Sequence, residues 1–408
     1  MAEGRERGIV DHSPYLMTDS IGLLTRHRVA SDLYSMNNIA NLAPTVAWLG
    51  FVVAFVLGAI SARTQFCTLG AVSDIVNMGD FTRMRMWVLA MAIAILGAQG
   101  LYAAGLIDLS KAFYTRPNIT WLSYVFGGLL FGIGMTLASG CGSRTLVRIG
   151  GGNLKSIVVF AFLGIAAYMT MKGLFGIWRV NYLDAVVIDA SQHGIATQEL
   201  GALVAPLFGV TKKTAQIMLA CLLAGPMLVF VLISRDFRSS LDAWLGGLGY
   251  GLAVVAGWYI TAHLGFGENA DTLEMVFFGT NSRAAESLTF VAPYGYSLEL
   301  LMLWSDKSLV ITFGVATVVG MILGAFAYSL LTKRFRWEGF ASVDDTRNHI
   351  IGAVLMGAGG VTAMGCTIGQ GVTGLSTLAV GSFFALAAMI VGCAATLKYQ
   401  YWKLMQEE

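Results

Sequence analysis

The stretch FGIGMTLASGCGSRTLVRIGGGN, residues 131–153, returns in outline at residues 356–376 as MGAGGVTAMGCTIGQGVTGLS. Gly132, Gly134, Gly140 and Cys141 in the first copy match Gly357, Gly359, Gly365 and Cys366 in the second, each pair 225 positions apart (141 to 366). Small residues also recur at every fourth position before each cysteine, as Gly128, Gly132, Thr136 and Gly140, and less completely as Ala353, Gly357, Val361 and Gly365. That spacing puts them on one helix face, where missing side chains let backbones approach closely. The six matched glycines are read as marking helix breaks, each with a cysteine at its hinge.

Outward from these copies the chain is apolar. Of 408 residues, 56% are hydrophobic, and 26 Lys plus Arg and 24 Asp plus Glu make only 12% charged. A water-soluble domain carries about 25%, so the composition is that of a membrane protein. The net charge of +2 gives no ground for a nucleic-acid partner. Five cysteines without a C-x-x-C pair, and without histidine at ligand spacing, make neither a disulfide framework nor a metal site. Gly150 to Asn153 lacks the strand before it and the Lys-Ser/Thr after it that a phosphate loop needs, and reads as a flexible turn. Neither a Ser-His-Asp nor a paired-carboxylate arrangement can be argued, so the expectation is no enzyme, no cofactor and no metal.

A helix crosses the roughly 30 Å bilayer core with about 20 apolar residues. Nine such stretches occur, at about 44–61, 84–106, 119–138, 154–175, 214–233, 241–263, 309–331, 349–364 and 378–398. Residues 1–43 have no apolar stretch of signal-peptide type and read as a polar surface segment, with the transport domain at 44–398. Cys141 follows the third stretch and Cys366 the eighth. This odd separation inverts the second copy, giving repeats at about 44–175 and 241–398. The expected fold is therefore an all-α integral membrane protein of two inverted, Gly-rich repeats with short re-entrant helices, as in many transporters. Lys and Arg in the short loops, among them Arg63, Arg83, Arg85, Arg144, Arg148 and Lys155, mark one side as cytoplasmic. The long connections 176–213 and 264–308 hold most of the loop acids.

A third cysteine lies in ARTQFCTLGAVSDIVNMGD, where residues 66–80 are too apolar for a water loop and too short to cross. A re-entrant half-helix fits, since broken backbone at membrane depth survives only against protein or a water-filled cavity. The candidate binding residues are therefore Cys67, Cys141 and Cys366 with their polar neighbours Gln65, Ser143, Arg144, Thr367 and Gln370. Hydroxyls, amides and free N–H groups at helix starts replace the water shell of a small anion. A neutral thiol adds a weak donor and a polarizable contact suited to sulfur or selenium. Arg144 fits either an anion ligand or a membrane-interface anchor, and Asp74 and Asp80 either proton coupling or a helix cap. Cys221 and Cys393, inside apolar stretches, are expected only to pack, and His263 to be interfacial.

The motifs QFCTLGAVSD, SGCGSRTLVRIGGGN and GCTIGQGVTG, with the many-span layout, resemble the YeeE/YedE sulfur-transport family of bacterial inner-membrane proteins, from about Val46 to Lys398. The resemblance implies an hourglass-shaped bundle of inverted halves in the inner membrane. By motif position it implies that Cys67, Cys141 and Cys366 are successive contacts for a small sulfur oxyanion, foremost thiosulfate. It also implies a cytoplasmic sulfurtransferase as partner. The run GCGSR departs from the GCATG-like run of thiosulfate-type members and leaves a selenium species as alternative cargo. From another class, the alternative is a persulfide-forming sulfurtransferase or thiol redox enzyme, for which Cys141 with Arg144 three residues on is the one suitable place.

Overall fold

A computed structural model describes residues 41–269 and 272–407; the expected polar segment lies, up to residue 40, outside the described residues. The helices are α1 (Leu42–Thr64), α2 (Thr68–Met78), α3 (Thr82–Ala103), α4 (Trp121–Leu137), α5 (Gly142–Gly150), α6 (Leu154–Lys172), α7 (Leu200–Phe208), α8 (Lys212–Ile233), α9 (Leu241–Tyr259), α10 (Ala292–Met302), α11 (Phe313–Leu331), α12 (Val343–Thr362) and α13 (Val380–Glu407). Two antiparallel ribbons, Asn118–Ile119 with Ile188–Asp189 and Phe266–Glu268 with Met275–Phe277, are the only sheets among the described residues. The protein is an all-α membrane protein.

Among the described residues, eight helical stretches are long and apolar enough to cross a bilayer: Leu42–Met78, Thr82–Ala103, Trp121–Gly150, Leu154–Lys172, Lys212–Ile233, Leu241–Leu264, Phe313–Leu331 and Val380–Gln406. The ninth expected stretch, 349–364, falls in α12, which does not reach that apolarity. Its first turns carry Asp344, Asp345, Arg347 and His349, and Gly352, Gly357, Gly359 and Gly360 follow. The reason is its position. α12 is packed between α4 and α6, so small residues for close approach replace the apolar face that lipid would require.

Glycine fixes that approach. A Cβ added at Gly127 would lie 2.7 Å from the Gly359 carbonyl oxygen, and one at Gly359 the same 2.7 Å from the Gly127 oxygen. Further along, Cβ atoms at Gly134 and Gly352 would lie 2.7 and 2.6 Å from each other's carbonyl oxygens. α4 and α12 therefore run antiparallel in near backbone contact. The 225-residue offset carries Gly127 onto Gly352 and Gly134 onto Gly359, so it maps one of these contacts onto the other. On the flanks, Gly132 of α4 packs on Met389 and Cys393 of α13, and Gly357 of α12 packs on Leu163 and Ala166 of α6. Gly132, Gly134, Gly357 and Gly359 are thus helix-packing positions inside α4 and α12, and only Gly140 and Gly365 stand at the breaks. The sequence reading is corrected there: glycine with a helical φ against a neighbouring backbone continues a helix.

The long connections also depart from simple surface loops. Thr197, Gln198 and Glu199 are buried, and Gln198 and Leu200 bond the backbone at 378–381. Leu288, Phe290 and Val291, in the second connection, sit in the core, and Phe290 lies against Gly142. These inward folds bring loop residues to the middle of the bundle.

Candidate functional site

Three helices end in the same way. The residue after α1, Gln65, has φ 55°; Ser139, after α4, has φ 56°; Met364, after α12, has φ 59°. A left-handed residue closing a helix caps its last carbonyls. At the two repeat copies the caps are equivalent, with Gly140 N–H bonding the Met135 oxygen (2.9 Å) and Gly365 N–H the Gly360 oxygen (2.8 Å). Non-glycine residues held this way cost about 1–3 kcal/mol each, and such strain gathers at functional sites.

Two positions beyond each left-handed residue stands a cysteine: Cys67, Cys141 and Cys366, all buried. Cys67 and Cys141, in extended backbone, are the residues from which α2 and α5 start. Each thiol therefore sits where a helix leaves its first N–H groups unpaired. Cys366 acts as a cap itself, its Sγ accepting from the Gly369 N–H at 3.3 Å. Cys141 Sγ lies 3.3 Å from Ser143 Oγ, beside the Cys67 thiol and near the Thr367 hydroxyl. Cys141 thus occupies the middle of the set, between Cys67 and the residue that follows Cys366.

The remaining expected residues divide. Gln65 and Arg144 are brought together, the guanidinium donating to Gln65 Oε1 while Gln65 Nε2 donates to the Ala62 oxygen at 2.8 Å. Arg148 donates to the Ser139 oxygen at 3.0 Å and holds the first break closed. Ser143 and Thr367 are buried next to Cys141. Gln370 is committed to the backbone, its amide nitrogen donating to the Ala363 oxygen (2.6 Å) and its oxygen accepting from Ser382 (2.7 Å). Among the described residues, the Thr68 and Thr367 hydroxyls, 2% and 0% exposed, have no hydrogen-bond partner. A buried hydroxyl without a partner costs about 1–3 kcal/mol, so two of them beside three thiols mark a place built for a guest.

Away from the thiols, Asp80 accepts from the Thr82 hydroxyl (2.7 Å) and N–H (2.9 Å) at the start of α3, which hold its carboxyl below the usual range, and Asp74 pairs with Arg83 at 3.2 Å. His263 bonds the Leu106 oxygen, Cys393 is buried beside Thr136, and Cys221 is exposed. Several site residues were not expected. Tyr250 stacks on Phe66 with ring centroids 3.9 Å apart and bonds Ser61 at 2.7 Å, and Tyr294 donates to the Gly142 oxygen at 2.6 Å. A tyrosine inside an apolar run needs a partner for its hydroxyl, and that was the available signal. Beyond the second break lies a cavity of about 310 Å³, lined by Met364 and Gly365, Tyr114, Tyr296, Lys172, Arg179 and Glu286 among others.

The family described as sulphur transport matches residues 63–395, which include all three breaks. The chain belongs to the sulphur transport family. Two relatives are named thiosulfate transporter TsuA. The one from Spirochaeta thermophila (strain ATCC 700085 / DSM 6578 / Z-1203) is 24% identical over 364 residues, 85% of this chain and 96% of the relative. The one from Escherichia coli (strain K12) is 26% identical over 351 residues, 84% of this chain and 91% of the relative. With its apolar helices, membership makes this a multi-pass membrane protein of sulphur transport and not an enzyme, which displaces the sulfurtransferase alternative. In the same direction, Arg144, the cation that alternative required, is engaged by Gln65.

Proposed function

We propose that this chain takes up thiosulfate across the bacterial inner membrane by non-covalent transfer along Cys366, Cys141 and Cys67. The carrying observation is the adjacency of the thiols at helix starts, with the unpartnered hydroxyls of Thr68 and Thr367 beside them. A dianion leaving water loses on the order of 20 kcal/mol of solvation per charge in a low-dielectric interior, so its path must present donors throughout. Thiols, hydroxyls and the free N–H groups at helix starts supply them without a fixed cation that would trap the ion, and sulfur meets sulfur as a soft contact.

The reciprocal α4–α12 contacts support two inverted halves, with α12 as the ninth crossing. Lys155 stands at the opposite end of α6 from Lys172 of the cavity lining, and with Arg63, Arg83, Arg85, Arg144 and Arg148 in the short loops this supports reading the basic end as cytoplasmic and the cavity as the outer vestibule. The order is then Cys366, Cys141, Cys67, with Gln65 and Arg144 at the exit, where a cytoplasmic sulfurtransferase would receive the product. The test is uptake of sulfur-labelled thiosulfate into proteoliposomes, with sulfate and selenite as competitors. Cys141→Ala is expected to lower uptake more than tenfold in protein that remains folded; full activity in the Cys141→Ala, Cys366→Ala double variant would sink the reading.

A further inference from the structure

The cavity beyond Cys366 contains a group out of keeping with an anion path. Its lining holds two cations and one acid, Glu286. Both cations have an acid outside the lining: Lys172 Nζ is 2.8 Å from Glu299 Oε1, and Arg179 Nε is at ion-pair distance, 3.4 Å, from Asp184 Oδ2 without a hydrogen bond to it. Glu286 is different. Its carboxylate accepts from Ser282 Oγ at 2.7 Å, and among the described residues no cation lies within ion-pair distance of it. The backbone around it is held fixed, the Glu286 carbonyl accepting from Thr261 Oγ1 and the Ala285 carbonyl from Phe113 N–H at 3.0 Å.

A sphere of 310 Å³ is about 8 Å across, which is about one Debye length at physiological salt and inside a wall that screens less than water. An anion in this cavity and a charged Glu286 cannot avoid one another. We propose that Glu286 is a proton-binding site linked to the anion, taking up a proton as a sulfur anion occupies the vestibule before Cys366. This rests on the reading of the cavity as the outer vestibule of a sulfur-anion transporter.

The facing groups allow it. Lys172 of α6 and Arg179 beyond it are held by their own acids, Tyr296 of α10 and Tyr114 face the cavity as neutral phenols, and Arg283, on the same connection, is exposed to solvent. Lys111, whose backbone pairs with Ala285, sends its ammonium over the Phe266 ring. Burial pushes the Glu286 carboxyl up from 4.5 to about 7, against the opposing Ser282 bond, so a small further rise on anion binding changes its charge at neutral pH. By linkage, the anion binds tenfold more weakly for each unit the pH climbs between the free and occupied midpoints.

The test uses the full chain in detergent, in weak buffer with a pH indicator, titrated in turn with thiosulfate, sulfate and selenite. Proton uptake on adding thiosulfate near pH 7 to 8, absent in Glu286→Gln, is expected. In proteoliposomes the KM for thiosulfate should rise with outside pH in the wild-type chain and stay flat in Glu286→Gln, with kcat insensitive to outside pH in both. Proton uptake by none of the three anions, or uptake unchanged in Glu286→Gln, overturns the proposal. Uptake of protons with selenite and not thiosulfate keeps the linkage and overturns the thiosulfate reading. Should Glu286→Gln fail to fold, the wild-type chain decides, since a KM independent of pH across 6 to 8.5 excludes a linked carboxyl.

Discussion

The breaks at Cys141 and Cys366 share a motif, a left-handed cap and a capping bond pattern, yet they continue into different structures. After Cys141 the chain forms a regular nine-residue helix, α5, whose Arg148 reaches back across the break to Ser139 and whose Arg144 reaches over to Gln65 at the Cys67 break. After Cys366 it forms a π-helical turn, Gly369–Gly374, in which every residue is buried. That turn is pinned from three sides: Gln370 holds Ala363 and Ser382, Thr373 donates to the Leu288 oxygen at 2.7 Å, and Trp258 donates to Ser376 at 2.9 Å. One break is clasped by a long basic side chain and the other is locked by short polar ones. The repeat sets where the backbone turns; the neighbours, which do not repeat, set what each turn does. A π-turn inside otherwise α-helical structure is a frequent mark of function.

The strongest way to break the comparison is to attack what the two halves hold in common. Gly359→Leu is expected to abolish folding, because its Cβ would meet the Phe131 nitrogen at 2.6 Å and the Gly127 oxygen at 2.7 Å, backbone atoms that cannot step aside. Such overpacking belongs with the exceptional losses above about 4 kcal/mol. Gly134→Leu should fail equally if the halves are equivalent. Gly225→Ala, with nothing near its Cβ, should change thermal stability in detergent by about 1 kcal/mol or less. A folded, monodisperse Gly359→Leu protein on size-exclusion chromatography would contradict the α4–α12 crossing.

Next in size, the two thiols separate. Cys141→Ala and Cys366→Ala should both cost more than tenfold in thiosulfate uptake and about 1 kcal/mol in stability, but Cys366→Ala strands a fixed backbone donor, the Gly369 N–H, whereas Cys141→Ala strands only the rotatable Ser143 hydroxyl. Gln370→Ala and Gln65→Ala sharpen the same contrast without touching a thiol. Losing Gln370 leaves the buried Ala363 carbonyl and Ser382 hydroxyl unpaired and is expected to cost about 1–3 kcal/mol by thermal unfolding. Losing the exposed Gln65 should leave stability within about 0.5 kcal/mol and alter uptake through the freed Arg144. Equal destabilisation by the two would mean that the Arg144–Gln65 tie from α5 to the Cys67 break braces the fold as firmly as Gln370 locks the π-turn.

What the sequence made legible was local or repeated. The 225-residue offset carried the matched glycines and two of the three cysteines, and Ser143 lies beside Cys141 as its chain position puts it, whereas Thr367, the chain neighbour of Cys366, meets Cys141 only through the tertiary fold. Local spacing misled for α12, whose glycines look like breaks until the carbonyls of α4 fill the space beside them. It was silent on Phe290 and Glu286, which come from a connection with no apolar period and reach the site only through tertiary contacts with Gly142, Thr261 and Phe113. Gln370 shows the limit from the other side. A polar side chain next to a candidate thiol has the right chemistry for a ligand, and only its partners reveal that it holds the turn instead.

The smallest expected effect concerns how α12 is anchored beyond the bundle. Lys155, at the start of α6, reaches Asp345 at 2.7 Å in the first turn of α12, where Ser342 also caps the helix through the Asp345 N–H at 3.1 Å. The lysine holds the Asp345 carboxyl below its ordinary 3.8. A depressed acid contributes stability that is complete above the ordinary value and is lost as pH falls through the lower folded one. Pairs this close to solvent are worth about 0.2–1 kcal/mol, so Lys155→Met should lower the thermal midpoint slightly at pH 7 and progressively less as pH falls below 3.8. The offset places Val380 where an equivalent of Lys155 would stand, so the other half has no such tie. If Lys155→Met costs as much at pH 3 as at pH 7, its stem packs α6 onto α12 and the charge contributes nothing, which would make this half of the bundle resemble the other more than its ion pair suggests.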